Sequence, residues 1–237
     1  MFSLDFLRAA APGYDIRYTD SVGSTNAALL GDASARAGSV LIAGSQSAGR
    51  GRMARAFASP EGGLYMSVLL APASVDEALA ITPRAAVAVS RAIESVSGRE
   101  TAIKWVNDIL IDGKKVCGIL AEARAGEGLA VVLGIGVNVS AVPAGLEGTA
   151  GAVFDEAPAL ARERLAAAIL GELRERRDVY AEYVRRCSTP GNMVDAARGG
   201  ERFAARAVGI DERFRLIVER ADGSRAALDS GEVTLHR

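Results

Sequence analysis

The chain has 237 residues, of which 49% are hydrophobic and 24% are charged, and its formal net charge is -1. This composition is that of a globular protein with room for one large domain, or for one large and one small domain. A charge so close to zero excludes the overall basic field that drives nonspecific binding to nucleic acid. The first apolar run contains Asp5 and Arg8, which does not fit a signal peptide, and no window reaches transmembrane length. We therefore expect a soluble, cytoplasmic protein.

The first half of the chain is predicted to form strands around one long polar loop. Apolar runs at 40–43 and 64–71 are typical of buried strands, and the segment between them contains a glycine-arginine loop and a turn at 59–63. Thr82-Pro83 has the pattern of a helix start, and Gly98 has that of a helix end. We predict a helix between these points.

Four further strands are predicted, at 101–105, 109–111, 116–120 and 129–135. Tight turns, Asp112-Gly113 and Gly126-Glu127-Gly128, separate the last three, so the strands should run antiparallel. This order argues against a doubly wound nucleotide-binding fold. The Gly134-Ile135-Gly136 segment does not precede a helix and is therefore not a dinucleotide fingerprint.

The last third is predicted to contain one long helix and then a small β domain. The helix spans about 159–184, and Thr189-Pro190-Gly191 breaks the chain after it. Short strands then follow at 203–208, 215–218, 225–228 and 233–235. Short strands with close turns indicate a small barrel or sandwich. We place the domains at residues 1–188 and 189–237.

Gly49-Arg50-Gly51-Arg52, followed by Arg55, is the segment with the strongest chemical character. Glycine allows the backbone to come close to a ligand, and guanidinium groups match phosphate and carboxylate. The loop is therefore a candidate anion-binding lid. On spacing alone, a solvated loop whose arginines aid solubility fits equally well.

Two more clusters are candidate sites, each with a structural alternative. Lys104-Trp105-Val106-Asn107-Asp108 crowds charged and amide groups at a strand end, and a polar turn would explain the same residues. Lys115 precedes Gly118 inside a strand, where glycine marks close approach by a ligand or a bulge. Ser24 can cap a helix, donate to a ligand, or do both. Cys117 and Cys187 lack metal-site spacing, and His236 is the one histidine, so we expect structural thiols and no direct metal ligand.

In their order along the chain, these motifs resemble those of biotin–protein ligases. The motifs are Ser24-Thr25-Asn26, Gln46 with Gly49-Arg50-Gly51-Arg52, Lys104-Trp105 with Asn107-Asp108, Lys115 with Gly118-Ile119-Leu120, and Gly134 to Asn138. In the tail, Gly209-Ile210-Asp211 and residues 228–233 are similar to the family's C-terminal SH3-like domain. The resemblance implies an α+β catalytic domain, like that of class II synthetases, in which helices flank a mixed, largely antiparallel sheet.

The resemblance also implies a reaction in two steps. The biotin carboxylate attacks the α-phosphorus of ATP, with Mg²⁺ on the phosphates, and a lysine of a biotin carboxyl carrier domain then attacks the biotinyl-adenylate. The first nucleophile is ionised at neutral pH, so this step needs charge neutralisation and no general base. Lys115, Arg50 and Arg52 would be the catalytic residues.

The resemblance assigns the candidate residues to two subsites. Those implied for biotin are Ser24, Thr25, Gln46, Gly49, Arg50, Arg52, Lys115, Gly118 and Gly136. Those implied for ATP and the adenylate are Arg50, Arg52, Arg55, Lys104, Trp105, Asn107, Asp108 and Asn138. Asp108 could aid deprotonation of the incoming lysine, or orient Lys115 or the metal.

The chain departs from the family pattern at three places. Val106 stands where proline is usual, Ala54 and Phe57 replace a usual glycine and tryptophan, and the turn after Asp211 lacks a usual glycine. None of these changes removes a group that takes part in the chemistry. A lipoate or octanoate ligase and a noncatalytic biotin-binding regulator are the alternative functions. Only Met1 to Asp20 precede the first motif, so we expect no DNA-binding domain, no membrane partner, and leave a homodimer open.

Overall fold

The structure is a computed structural model, and it describes residues 2–124, 128–175, 177–198, 201–229 and 233–235. His236, the predicted turn at Gly126-Glu127 and residues 230–232 of the C-terminal motif lie outside the described residues. The elements in chain order are α1 Leu4–Ala10, β1 Asp15–Val22, α2 Thr25–Gly31, β2 Ser39–Gln46, a 3₁₀ turn Arg52–Ala54, β3 Leu64–Leu70, α3 Val75–Ser97, β4 Ala102–Lys104, β5 Asp108–Ile111, β6 Lys114–Arg124, β7 Ala130–Val137, α4 Ala161–Arg174, α5 Tyr180–Arg186, β8 Met193–Arg198, β9 Glu201–Ile210, β10 Leu216–Glu219, β11 Arg225–Leu228 and β12 Val233–Leu235.

Seven strands form the main sheet in the order β1-β2-β3-β7-β6-β5-β4. β1 and β2 are parallel, and every other neighbouring pair is antiparallel. The prediction of a mixed, largely antiparallel sheet is confirmed. Strand alternation places Met66 and Leu133 in the core, where α3 and α4 cover the sheet, and directs Ser67 and Gly134 to the opposite face. That opposite face carries the candidate site.

The predicted start of the long helix was wrong, because α3 begins at Val75 and not at Thr82-Pro83. Ser74 is the N-cap, its side chain accepting a hydrogen bond from the Glu77 N–H at 3.1 Å. Pro83 therefore lies inside the helix, where it removes the hydrogen bond to the Leu79 carbonyl. Leu79 is 72% exposed, so water can satisfy that carbonyl.

The helical stretch predicted at 159–184 is two helices, α4 and α5, separated after Arg174. Ion pairs join both of them to α3. Arg91 of α3 contacts Glu172 and Glu182, and Arg186 of α5 reaches Glu94 of α3 at 2.6 Å. These ion pairs therefore connect α3, α4 and α5 on the face of the sheet that α3 and α4 cover.

A second sheet of five antiparallel strands has the order β11-β10-β9-β8-β12. Strand β8 was not predicted, whereas the other four strands overlap the predicted runs. Val194, Leu216 and Val218 of this sheet belong to the same continuous apolar core as the main sheet. The division at 188/189 and the closure of this sheet into a barrel stay predictions.

Two observations on the described residues concern membrane-spanning helices and metal sites. None of their helices combines the length and apolar character needed to cross a membrane. Within the same part of the chain, no group of three or more His, Cys, Asp or Glu side chains could hold a metal ion. Cys117 and Cys187 are buried and unpaired, and burial raises the pKa of the Cys117 thiol, which agrees with structural thiols.

Candidate functional site

A cavity of about 170 Å³ opens on the face of the main sheet opposite α3 and α4, beside α2. It brings together thirteen of the predicted site residues, namely Ser24, Thr25, Gln46, Arg50, Arg52, Arg55, Lys104, Trp105, Asn107, Asp108, Lys115, Gly118 and Gly136. Gly49 and Asn138 are not among the described residues that line it. Segments far apart in sequence thus converge on one cavity.

The floor of the cavity is a glycine trough formed by Gly118, Gly134 and Gly136. Gly118 pairs with Gly136 across β6 and β7, and Gly134 pairs with Leu120. A Cβ on Gly134 would lie 2.3 Å from Asn26 Oδ1, and one on Gly136 would lie 2.5 Å from the Phe57 ring. These positions require glycine because other atoms occupy the space above the backbone.

The glycine-arginine loop folds as a short hairpin over this trough. The Phe57 N–H donates to the Gly49 carbonyl at 2.9 Å, and the Gly51 N–H donates to the Arg55 carbonyl at 2.7 Å. The loop then sets the Phe57 ring against Gly118 and Gly136, and Lys115 Nζ lies 5.6 Å from the ring centroid. Phe57 is therefore the roof of the trough.

Gly49 makes its close approach within the loop and not to the cavity. A Cβ on Gly49 would lie 2.3 Å from the Phe57 carbonyl oxygen, which excludes any side chain there. Asn138 is buried, and its amide donates to the Gly151 carbonyl at 3.0 Å. These positions make both residues supports of the site, and their direct binding roles stay predictions.

A buried polar network lies at one end of the trough. Gln46 Oε1 accepts from the Thr25 N–H at 2.8 Å and from the Thr25 hydroxyl at 3.1 Å. Gln46 Nε2 donates to the Ser59 hydroxyl at 2.8 Å. Ser24 is the N-cap of α2 and also lines the cavity, so both of its predicted roles are compatible with the structure. The network presents amide and hydroxyl groups suited to a small polar ring.

Two groups in this region were missing from the predicted site, Asn26 and Glu122. Asn26 Nδ2 donates to Glu122 Oε2 at 2.8 Å, and its Oδ1 lies 2.6 Å from the Ser67 hydroxyl. Arg50 Nη1 meets Glu122 Oε1 at 3.2 Å. Membership of the Ser24-Thr25-Asn26 motif was the sequence signal for Asn26. Glu122 offered no signal, because it lies inside β6 and belongs to none of the motifs.

Cations lie at the other end of the trough. Lys115 Nζ is 2.7 Å from Asp108 Oδ1, and Arg52 Nη1 donates to Asn107 Oδ1 at 3.1 Å. Burial lowers the pKa of Arg52, whereas the Asp108 carboxylate acts in the opposite direction. Guanidinium stays protonated at neutral pH even so. The site therefore combines a neutral floor with fixed positive charge at its end.

Trp105 joins this end of the site to the second sheet. It is 4% exposed, its main-chain N–H donates to the Thr189 hydroxyl at 2.9 Å, and its indole N–H donates to the Phe214 carbonyl at 2.9 Å. Val233 of β12 also lines the cavity. Residues on both sides of the predicted domain boundary thus build the site.

Comparison with known proteins agrees with this arrangement. Residues 18–138 match the model of the biotin/lipoate A/B protein ligase family. A biotin--[acetyl-CoA-carboxylase] ligase of Mycobacterium tuberculosis is 34% identical over 230 residues, which are 89% of this chain and 85% of the relative. The bifunctional ligase/repressor BirA of Bacillus spizizenii is 44% identical over 143 residues, and the match spans 56% of this chain and 43% of that protein.

The fold also matches a solved structure. The biotin protein ligase of Aquifex aeolicus, determined in complex with biotin and ATP, superposes with a TM-score of 0.79 at 24% identity, covering 94% of this chain and 99% of that one. At this identity the likeness establishes the fold. The chain belongs to the biotin/lipoate A/B protein ligase family and, within it, to the biotin–protein ligases.

Proposed function

We propose that this protein activates biotin with ATP to form biotinyl-5'-AMP and transfers the biotin to a lysine of a biotin carboxyl carrier domain. The observation that carries the proposal is the neutral glycine trough that ends at Lys115 and Arg52. In this structure the Phe57 ring fills the space above Gly118 and Gly136. We infer that the ring moves aside and leaves room there for a ring and its alkyl chain, while the cations at the end of the trough attract the carboxylate and the α-phosphate.

The first step joins two anions, so its main requirement is charge neutralisation. A carboxylate oxygen of biotin attacks the α-phosphorus, the bond to the bridging oxygen breaks, and pyrophosphate leaves. Lys115 and Arg52 line the cavity, and in this proposal they stabilise the charge that develops on the α-phosphoryl oxygens. Mg²⁺ supplies further neutralisation when it accompanies the ATP phosphates.

Binding of the biotin ring is assigned to the polar end of the trough. Thr25, Gln46 and Ser24 offer hydroxyl and amide groups for the ureido ring, and Gly118 and Gly136 leave room for the valeryl chain. The Phe57 roof and the arginines of the loop would cover the adenylate. Arg55, Lys104, Trp105, Asn107 and Asp108 line the part of the cavity proposed for the nucleotide.

In the second step, the acceptor lysine attacks the carbonyl carbon of the mixed anhydride and AMP leaves. The attacking amine must lose a proton, and Asp108 is a charged acceptor at this end of the site. Because Asp108 already pairs with Lys115 at 2.7 Å, orientation of Lys115 is an equally good role for it. A pH profile of transfer alone, measured from preformed adenylate, distinguishes these roles for an Asp108→Asn variant.

The direct test is incubation with biotin, ATP, Mg²⁺ and a purified biotin-acceptor domain, followed by mass spectrometry of that domain. We expect the mass increase of one biotinyl group. Lipoate and octanoate, offered in place of biotin, test the alternative ligase activity within the family. Biotin binding without acyl-adenylate formation would instead favour the noncatalytic regulator.

Several features of the wider context are further parts of the proposal. The partner is the carrier domain of a biotin-dependent carboxylase, and the location is the cytoplasm. We expect no membrane or DNA partner, while a homodimer stays open. Gel filtration tests for a homodimer, and a mobility-shift assay at physiological salt tests for DNA binding.

A further inference from the structure

Phe214 has an unusual backbone conformation in the turn between β9 and β10. Its φ is 60°, in the left-handed region that favours glycine and disfavours a bulky side chain. The turn is where the chain lacks the glycine that is usual in its family. A bulky residue persists in this region only when its surroundings hold it there.

The surroundings of Phe214 hold both its backbone and its ring. The Phe214 N–H donates to the Asp211 carbonyl at 2.8 Å, and the Asp211 carboxylate clamps the same turn by accepting from Arg215 Nε at 2.7 Å. The ring meets Tyr180 and Tyr183 of α5 edge to face, at centroid distances of 5.8 and 5.3 Å. Such edge-to-face aromatic pairs stabilise the fold by more than the burial of their apolar surface alone would.

This conformation directs the Phe214 carbonyl at the indole N–H of Trp105. Trp105 is buried, so its N–H requires a partner, and the Phe214 carbonyl supplies it at 2.9 Å. Tyr183, which packs on the Phe214 ring, also donates its hydroxyl to the Val106 carbonyl at 3.2 Å. Phe214 therefore acts on the 105–108 segment through two routes, its carbonyl and its ring.

The 105–108 segment carries groups that face the cations of the site. Asn107 accepts from Arg52 at 3.1 Å, and Asp108 pairs with Lys115 at 2.7 Å. A shift of Trp105 would move these partners. A displacement of about 1 Å in positioning groups can cost up to about 100-fold in rate.

We propose that Phe214 is a positioning residue, which holds Trp105 and thereby the Asn107–Asp108 end of the site in its ATP-binding geometry. The proposal rests on the proposed function, because it assigns that end of the cavity to the nucleotide. It predicts a much larger effect on ATP than on biotin, whose ring is proposed to lie at the opposite end of the trough. A mere misfit in a turn predicts the reverse: glycine would relieve the strain and activity would stay or rise.

The experiment compares Phe214→Gly, Phe214→Leu and Phe214→Tyr with Phe203→Leu. Phe203 lies in β9 under the Arg220 guanidinium at 4.0 Å and does not line the cavity, so it is a control in the same sheet. Trp105 is the only tryptophan of the chain, so its intrinsic fluorescence reports on this contact directly. The other measurements are KM for ATP and for biotin in adenylate formation, and a circular dichroism melt.

We expect Phe214→Gly and Phe214→Leu to shift Trp105 emission to longer wavelength and to raise KM for ATP about tenfold, with KM for biotin within twofold. Phe214→Tyr should keep the Trp105 emission and the KM for ATP at their wild-type values, and Phe203→Leu should change neither of them. Unchanged emission and an unchanged KM for ATP in folded Phe214→Gly, or in Phe214→Leu if the glycine variant does not fold, would overturn the proposal. Failure of the wild-type protein to make adenylate would refute the proposed function instead, and the emission comparison still tests the positioning.

Discussion

Replacing Lys115 by alanine tests the site most directly. In the structure, Lys115 Nζ lies 2.7 Å from Asp108, and the two side chains are 35% and 20% exposed. An ion pair with this exposure contributes about 0.2–1 kcal/mol to folding, because water and salt screen it. The variant should therefore keep its fold and lose only a few degrees in melting temperature.

Catalysis should respond much more strongly than stability. A preorganised charge that meets the transition state typically contributes about 2.7–4 kcal/mol, or about 10²–10³ in rate. We expect single-turnover formation of biotinyl-adenylate by Lys115→Ala to fall by that factor. The difference between about 3 kcal/mol on the barrier and under 1 kcal/mol on folding separates a catalytic lysine from a structural one.

The adjacent lysine provides a matched control for this experiment. Lys114 is exposed, and Lys114→Ala removes the same charge from the neighbouring position of β6. Adenylate formation by the control should stay within about twofold of the wild type, as for other surface changes. Equal rates for the two variants, or a Lys115→Ala rate within threefold of the wild type, would refute the reasoning.

Three further predictions concern the loop, the trough and the helices. Residues 49–57 should gain hydrogen-exchange protection when biotin and ATP are bound, and Arg50→Ala should release the adenylate faster, because the loop shields the anhydride from water. Gly136→Ala should raise KM for biotin about tenfold or more, since the new methyl group would take up part of the trough proposed for biotin, in the space now bordered by the Phe57 ring at 2.5 Å. Glu182→Gln should lower the free energy of unfolding by about 2 kcal/mol at pH 7, because Glu182 loses its charge-assisted hydrogen bond to Arg91.

The pH dependence of the Glu182 effect follows from the sign of its pKa shift. Hydrogen bonds to Arg91 and, to a smaller extent, to Arg186 lower the pKa of Glu182 to about 2, from 4.5 for the free group. A lowered folded-state pKa stabilises the fold above pH 4.5, and this stabilisation disappears as the pH falls toward 2. The difference in unfolding free energy between wild type and Glu182→Gln should shrink over that range, and a difference independent of pH would contradict the assignment.

The predictions for the trough and the loop also have controls, and specific results would contradict them. Gly171→Ala, on an exposed face of α4 with open space around the new methyl group, should leave KM for biotin unchanged. A similar KM in Gly136→Ala and the wild type would show that the trough does not receive biotin. Equal exchange at 49–57 with and without ligands would contradict the closing of the loop.

The strands of the main sheet could be predicted because their signals are local, whereas the set of cavity residues came from the resemblance of the motifs to those of a known family. Apolar runs bounded by glycine turns mark β3, β6 and β7. The start of α3 was harder to predict. Thr82-Pro83 has the pattern of a helix start, and only the Ser74–Glu77 cap marks the true start. Local sequence does not decide between two such starts.

The residues that were missed depend on partners distant in sequence. Glu122 meets Arg50 across 72 positions, and Trp105 meets Phe214 across 109 positions. No spacing rule within a strand or helix can indicate such pairs, because tertiary folding creates them. The lack of the usual glycine at the turn after Asp211 was visible in the sequence, but its meaning needed the Tyr180 and Tyr183 rings beside Phe214.

The glycine trough restricts how the choice of acid can change. Its floor is main chain at Gly118, Gly134 and Gly136, and no amino acid is smaller than glycine. Mutation of the floor can therefore only make the trough shallower, so it can exclude acids but cannot admit wider ones. A variant that accepts a bulkier acid must change the opposite wall, where Phe57 rests on two of these glycines. Selection for new substrates, natural or in the laboratory, should accordingly collect its first changes in residues 49–57.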